Sequence, residues 1–508
     1  MNKIKSSYTF CGILVGICVT LCGLVSCTTH PNVPETFQTV NEQPSIYPDY
    51  TDVTIPCNIA PLNFMVKGDV KCVARISWKD GMETYGDKNK VVIPLDDWNK
   101  MLEKAKGNSL KIELFTKDEA NEVWQAFQPF HIHVAEEEID EYLSYRVISP
   151  SYVAYEMLSI NQRNLTNFDE KVIYNNMLVS DEKTGQCINC HSYQNYETDN
   201  MQFHMRQGYG GTMIVSDGTP QKVNLKTPKT ISGGVYPAWH PTQKLIAYST
   251  NKTGQTFHTK DLAKIEVQDT GSDLILYDVE RNEVSTISGG EEEMETFPAW
   301  SPDGKVLYYA SSLFVYTDSF SNRETEISNR YKDVKYDLYR RTFDPATKTF
   351  GEKDTVYLAS AIGKSATFPR ISPDGKYLLF TQGDFGTFHI WHPDADLYLM
   401  ELETMKTRKL ENINSNHTES YHSWSSNGRW IVVSSRREDG NYTRPYIGYF
   451  DKSGKAHKAF ALPQENPEYH INYMRSYNVP EFMKEPVQVT PHEFAAAAKK
   501  DAIQAIDR

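Results

Sequence analysis

Four stretches decide how this chain folds: YPAWHPTQKLIAYS from Tyr236, FPAWSPDGKVLYYAS from Phe297, FPRISPDGKYLLFTQ from Phe368 and YHSWSSNGRWIVVSS from Tyr421. Each reads as strand, tight turn, strand. In Ser301-Pro302-Asp303-Gly304 and Ser372-Pro373-Asp374-Gly375 the proline fixes φ, the aspartate bonds back to the backbone and the glycine takes the positive φ of a hairpin. Asp303 and Asp374 are therefore turn formers, not catalytic acids. A second hairpin follows each stretch: SDLILYDVERNEVSTIS from Ser272, YDLYRRTFDPATKTFGEKDTVYLA from Tyr336, ADLYLMELETMKTRKLE from Ala395 and RPYIGYFDKSGKAHKAFAL from Arg444. Four strands per unit, repeated every roughly fifty to seventy residues, is the pattern of a propeller blade. Two weaker units precede these, at residues 142 to 176 and 210 to 225. The expected fold is mainly β, a β-propeller of six blades with seven as the alternative.

Outward from the repeats, residues 1–26 read as a signal peptide and 27–46 as a polar, proline-containing tether. Residues 47–138 form a small N-terminal α+β or β-sandwich module, with strands expected at 53–55, 63–66, 71–78 and 110–115 and a helix at 95–105. The propeller takes 139–480, with a cofactor-binding insertion at about 180–210. In the tail, 481–508, Thr490, Pro491 and Glu493 announce a helix through a capping box. The repeats resemble the TolB-type propeller: its W-S-P-D-G-K signature stands at Trp300 to Lys305 and, with Ile371 replacing the tryptophan, at Ser372 to Lys376. That resemblance implies a fold and no activity, because such repeats serve binding proteins and peptidases alike. A peptidase would need a G-x-S-x-G elbow and a hydrolase domain, and with no such elbow in these 508 residues a peptidase is not the expectation.

The N-terminus carries Lys3 and Lys5, an apolar stretch to Val25, and Leu24-Val25-Ser26-Cys27. This is a lipobox, and it resembles the processing site of bacterial lipoproteins, in which the acylated cysteine, here Cys27, becomes the first residue and anchors the protein in a membrane. Cys11, Cys18 and Cys22 leave with the signal. Cys57 and Cys72 are candidates for a disulfide in an oxidising compartment, with two free thiols as the alternative. With 53 Lys plus Arg against 66 Asp plus Glu, a net charge of −13 and no basic run, nucleic acid is excluded as a partner.

Cys187-Ile188-Asn189-Cys190-His191 carries the chemistry. Two thiols three apart can bond the two vinyl groups of one porphyrin, and the following imidazole can ligate its iron, so the string predicts one covalent haem c. A zinc site would need a second ligand pair, a thioredoxin-like couple a βαβ context, and a bare structural disulfide is strained at this spacing. Met201, His204 and Met205 follow within reach as distal ligands. His204 is preferred over Met205, so His191 and His204 form the expected iron-ligand pair, with an open site as the alternative. Arg206 is a candidate partner for a haem propionate. The chain also resembles TolB-like lipoproteins of Bacteroides, which share C-x-N-C-H-S followed by a segment like Phe203-His204-Met205-Arg206. The resemblance implies an envelope protein on the outer membrane facing the periplasm, because no acidic run follows Cys27, with a redox or envelope protein as partner.

Three functions follow from these readings: an electron-transfer or redox-sensing haem protein, a non-enzymatic propeller scaffold in which the motif is structural, or a haem enzyme with an open distal side. His389, His392, Asp394 and Asp396 suggest a metal site only weakly, and Glu291 to Glu293 read as a solvated loop with calcium as the alternative. The connections at about 251–271, 313–335 and 383–393 are long, whereas the SPDG turns are short, so one face is built for function. Asp273, Asp337, Asp396 and Arg444 belong to that face. The insertion with Cys187 to His191 is expected to enter between two early blades and pack there, nearer His258, His389 and His392 than any SPDG turn.

Overall fold

The strand pairings of the computed structural model resolve into six blades in succession around the ring, the strands of each running from the axis outward. It describes residues 30–508 apart from 119–122, 150–157, 182, 291, 318–319 and 321, so Cys27 and its lipobox lie outside the described residues, as does Glu291. Blade 1 is Ser476–Met483, Tyr142–Ile148, Ser159–Asn164 and Glu170–Asn175, and blade 2 is Gln186–Gln194, Glu197–Gln207, Gly211–Ser216 and Thr219–Asn224. Blade 3 begins at Val235–Trp239, blade 4 at Glu293–Trp300, blade 5 at Ser365–Ile371 and blade 6 at Glu419–Trp424. Each innermost strand packs on the next, and that of blade 6 packs on Ser476–Met483, closing the ring. The chain's late strand Ser476–Met483 pairs antiparallel with Tyr142–Ile148, so the two ends of the propeller are zipped into one blade.

Several expectations need correction. Residues 180–210 are not an insertion: Gln186–Gln194 and Glu197–Gln207 are the two inner strands of blade 2. The reason is packing, because Ile188, Met201, Phe203, Met205 and Met213 alternate onto one face and fill the core beside blade 1. The propeller does not end at 480 either, since its closing strand runs to Met483. The helix Pro491–Lys499 does carry the capping box on Thr490 and Glu493. Beyond it, Ile503–Gln504 and Ile506–Asp507 add parallel to the outer edges of blades 2 and 3.

In the N-terminal module, Ser109–Asp118 is the central strand, flanked by Val70–Trp78 and Phe130–Val134. Helix Leu95–Ala105 buries Trp98, Met101, Leu102 and Ala105, the one-sided spacing of an amphipathic helix, which makes the module α+β. The supposed tether is partly docked: Phe37–Thr39 pairs parallel with Trp124–Ala126 and Ile46 is buried. Cys57 and Cys72 are both free thiols. Their surroundings differ, because the Cys57 thiol donates to the Glu136 carbonyl at 3.5 Å while Cys72 is packed in the core of the sheet. Trp430 of blade 6 is fully buried against the module, its indole N–H donating to the Glu138 carbonyl at 2.9 Å.

Candidate functional site

The innermost strands break at a common level. A non-glycine residue takes positive φ there in five blades: Cys190 at 55°, Tyr236 at 49°, Phe297 at 54°, Phe368 at 54° and Val479 at 51°. The ladder shifts register at each of these points, so each is a bulge that turns a side chain toward the axis. Tyr236, Phe297, Phe368 and Tyr421 stack in succession with ring centroids 4.5, 4.4 and 4.3 Å apart. Cys190 and Val479 complete the ring and close the central channel to a waist with a void of about 40 Å³.

The motif strand crosses this waist from one side to the other. Cys187 and Asn189 face a cavity of about 1030 Å³ on the long-loop side, together with His204, Arg206 and Trp391. Cys190 and His191 line the waist, and Ser192 and Tyr193 reach a second cavity of about 610 Å³ bordered by Ser301, Pro302 and Pro373 of the SPDG turns. The expected long-loop placement therefore holds for Cys187 and not for His191, which sits mid-channel. The two cavities on the waist and the long-loop side meet at Tyr236, which lines both.

His191 is 1% exposed, and neither ring nitrogen makes a hydrogen bond of good geometry, although the Val479 backbone lies near enough to act on the ring. Burial, reinforced by Arg146, pushes its pKa down to about 3, although the Val479 backbone acts the other way, so the imidazole is neutral and its lone pair is free. A buried polar group that is poorly satisfied costs about 1–3 kcal/mol, and His191 shares that condition with its neighbours Ser192 and Tyr193. Burial pushes the Cys190 thiol up. Arg146 bridges the motif, donating to Asn189 Oδ1 at 3.2 Å and to Cys187 Sγ at 3.7 Å.

The large cavity is amphipathic. Phe257, Phe388, Trp391 and Tyr442 supply its apolar wall, while its charged lining is Arg146, Arg206, Lys264 and Arg436, with no carboxylate among the described residues. That is a cationic hollow in an acidic chain. At about 300–1,000 Å³, cofactor sites are of this size. The residues fit a haem c in chemistry, with two thiols and a neutral imidazole on one strand: Cys187 lines a cavity suited to a large apolar dianion, and Cys190 and His191 line the waist next to it. The waist itself is too narrow for a macrocycle. Among the described residues no three His, Cys, Asp or Glu side chains converge as a zinc or calcium site requires.

Other candidates separate cleanly. His204 lines the large cavity with its Nδ1 at 3.3 Å from Thr212 Oγ1, and burial lowers its pKa to about 3. Met205 and Met201 are corrections: strand alternation turns both into the hydrophobic core between blades 1 and 2, away from the cavity. Arg206 lines the cavity opposite Cys187 in the ladder. His389 bonds Thr367 Oγ1 at 2.7 Å, His392 pairs with Glu266 at 2.7 Å and Asp396 pairs with Lys409 at 2.7 Å, so each is held by its own partner rather than by a shared metal. Asp303 and Asp374 accept from Ser301 and Ser372 at 2.6 Å inside their turns. Sequence reading missed Arg146 and Arg436, which lie far from the motif in the chain and carry no local signal. No helix among the described residues is long and apolar enough to cross a membrane.

No family model and no curated protein matches this chain. Among solved structures it is similar to prolyl oligopeptidase B from Galerina marginata, at 10% identity and TM-score 0.35, over 69% of this chain and 42% of that one. It is also similar to tricorn protease, at 13% identity and TM-score 0.31, over 76% and 34%, and to oligogalacturonate lyase from Vibrio parahaemolyticus, at 11% and 0.31, over 61% and 92%. The chain thus spans less than half the length of the two peptidases.

Proposed function

We propose that this chain is a lipid-anchored c-type haem protein of the bacterial envelope, built on a TolB-like propeller and serving electron transfer or redox sensing rather than catalysis. The observation that carries this reading is the Cys187 thiol in a cation-lined cavity of about 1030 Å³, with no carboxylate among its described lining residues, next to a waist lined by Cys190 and a buried, neutral His191. Cys187 and Cys190 would hold the macrocycle, His191 would ligate its iron, and His204 is the candidate on the cavity side. Bound there, haem supplies a one-electron couple whose potential follows its ligands and burial. The protein's own contribution is to exclude water at the waist, through the stacked aromatic ring, and to present cations to an anionic group.

One observation favours a second reading, in which the motif only packs the waist of a binding scaffold: Cys190 fills the slot that aromatic rings fill in the next three blades. An optical spectrum with a pyridine haemochrome assay on protein exported through a c-type maturation system separates the two. One covalent haem per chain, lost in Cys187→Ser/Cys190→Ser, supports the first reading. A colourless, folded parent protein overturns it.

A further inference from the structure

Thioether attachment fixes which way a haem can face. Each thiol adds across a vinyl group, sulfur to the inner carbon and hydrogen to the outer, with no net oxidation, and both vinyl groups lie on one edge of the porphyrin. The two propionates lie on the opposite edge. Cations beside the cysteines are therefore a macrocycle's width from the propionates. Arg206 stands opposite Cys187 in the ladder, and Arg146 contacts the Cys187 sulfur at 3.7 Å, so both belong to the vinyl edge.

The far wall of the cavity comes from blades 5 and 6. In a six-membered ring of blades, blade 5 is diametrically opposite blade 2, which carries the cysteines. There Trp391 lies under Arg436, whose guanidinium sits 3.5 Å from the ring centroid. Arg436 is 2% exposed, and its Nε donates to the Ile390 carbonyl at 2.7 Å and Nη1 to the Asn441 carbonyl. No carboxylate forms an ion pair with it among the described residues, and burial lowers its pKa to about 9, with only the charge of Asp439 opposing. A buried guanidinium with no carboxylate in direct contact among the described residues is an expensive arrangement, and its planar fork is matched to a carboxylate.

Resting on the haem reading, we infer that Arg436, held flat on Trp391, receives a haem propionate and that Arg206 does not. The cavity thereby orients its occupant across the channel mouth, attached at blade 2 and clamped at blades 5 and 6.

The test uses the haem-loaded protein and two readouts, covalent haem per chain and midpoint potential. A cation near a propionate disfavours the more positive ferric state. Arg436→Gln is therefore expected to keep the haem and to shift the reduction equilibrium about tenfold toward the ferric form, about 59 mV for one electron. Arg206→Gln is expected to stay within twofold of the parent. Asn441→Asp, a conservative change at an exposed rim residue beside Arg436, offers a competing carboxylate and is expected to move the potential in the same direction even if Arg436→Gln folds poorly. A tenfold shift in Arg206→Gln with none in Asn441→Asp or Arg436→Gln overturns the orientation and leaves the haem reading standing. A parent without covalent haem overturns both.

Discussion

Acid lability is written into the histidines of this propeller. His191, His389, His422 and His470 are at most 3% exposed, and burial lowers all four, to about 3 for His191 and His470, about 4 for His422, and well down for His389. A depressed native pKa means that the unfolded chain takes up protons first, at its ordinary 6.5. The stability that these neutral rings contribute is full above that value and is lost as pH falls toward the native values. Each costs about 1.4 kcal/mol per pH unit once the unfolded form is protonated, or about 2 kcal/mol between pH 7 and pH 5. Four such rings amount to about 8 kcal/mol, comparable with the whole stability of many proteins. Asp269 opposes them, since burial holds its carboxyl up to about 6 and the native state takes up that proton first. His470 isolates the effect, because it lies outside the motif and its Nε2 accepts from the Gln464 amide at 3.3 Å, a bond that protonation destroys. In His470→Gln, urea unfolding followed by tryptophan fluorescence should show the stability gap to the parent move by about 2 kcal/mol in the variant's favour from pH 7 to pH 5. A gap unchanged to within about 0.5 kcal/mol would refute the reasoning.

Trp430→Ala should destabilise by about 3–5 kcal/mol in denaturant titration, because the indole fills the seam between module and propeller; a loss under about 1 kcal/mol would mean that the seam contributes little. In the haem-loaded protein, His204→Ala should change the optical spectrum and Met205→Leu should not, and the reverse outcome would restore the methionine as ligand. Cys27→Ser should leave an unprocessed precursor by mass spectrometry, whereas recovery of mature, membrane-bound protein from it would remove the lipid anchor. His191→Pro should leave the haem-free chain folded, within about 1 kcal/mol of the parent, since proline occupies the equivalent place in four blades. Loss of the folded state in that variant would show that blade 2 needs a backbone N–H at the bulge.

The blades were legible because hairpin chemistry is local: Ser301 to Gly304 and Ser372 to Gly375 specify their turns within four residues, and the structure forms them with the bonds expected. What escaped sequence reading was non-local. Blade 2 lacks the SPDG turn, joining its inner strands through Asn195 and Tyr196, both at positive φ, so Gln186–Gln194 passed for an insertion. The closing strand Ser476–Met483 pairs with residues more than three hundred positions earlier, which no window of sequence can report. Met205 stands as a candidate ligand beside the preferred His204 in the sequence, because proximity along the chain says nothing of which face of a strand a side chain takes. The parity of His204 and Arg206 on one side, and Met205 on the other, follows only once the ladder is known.

At the bulge level blade 2 departs from four of its neighbours. After the positive-φ residue comes proline in blades 3, 4, 5 and 1, at Pro237, Pro298, Pro369 and Pro480, and a proline fixes φ and removes the backbone donor, so those bulges are locked. Blade 2 has His191 at that place, which retains its N–H and its conformational range. Non-glycine residues at positive φ carry strain of about 1–3 kcal/mol, sustained only where the surroundings enforce it. In four blades the proline and, in three of these, the aromatic stack enforce it; at Cys190 and His191 neither does. The strand of blade 2 is therefore the one among these five that can yield at the waist without breaking a proline lock. A residue free of the proline lock, carrying a neutral imidazole at the neck between the aromatic ring and a cationic cavity, is where the proposed prosthetic group would be gripped.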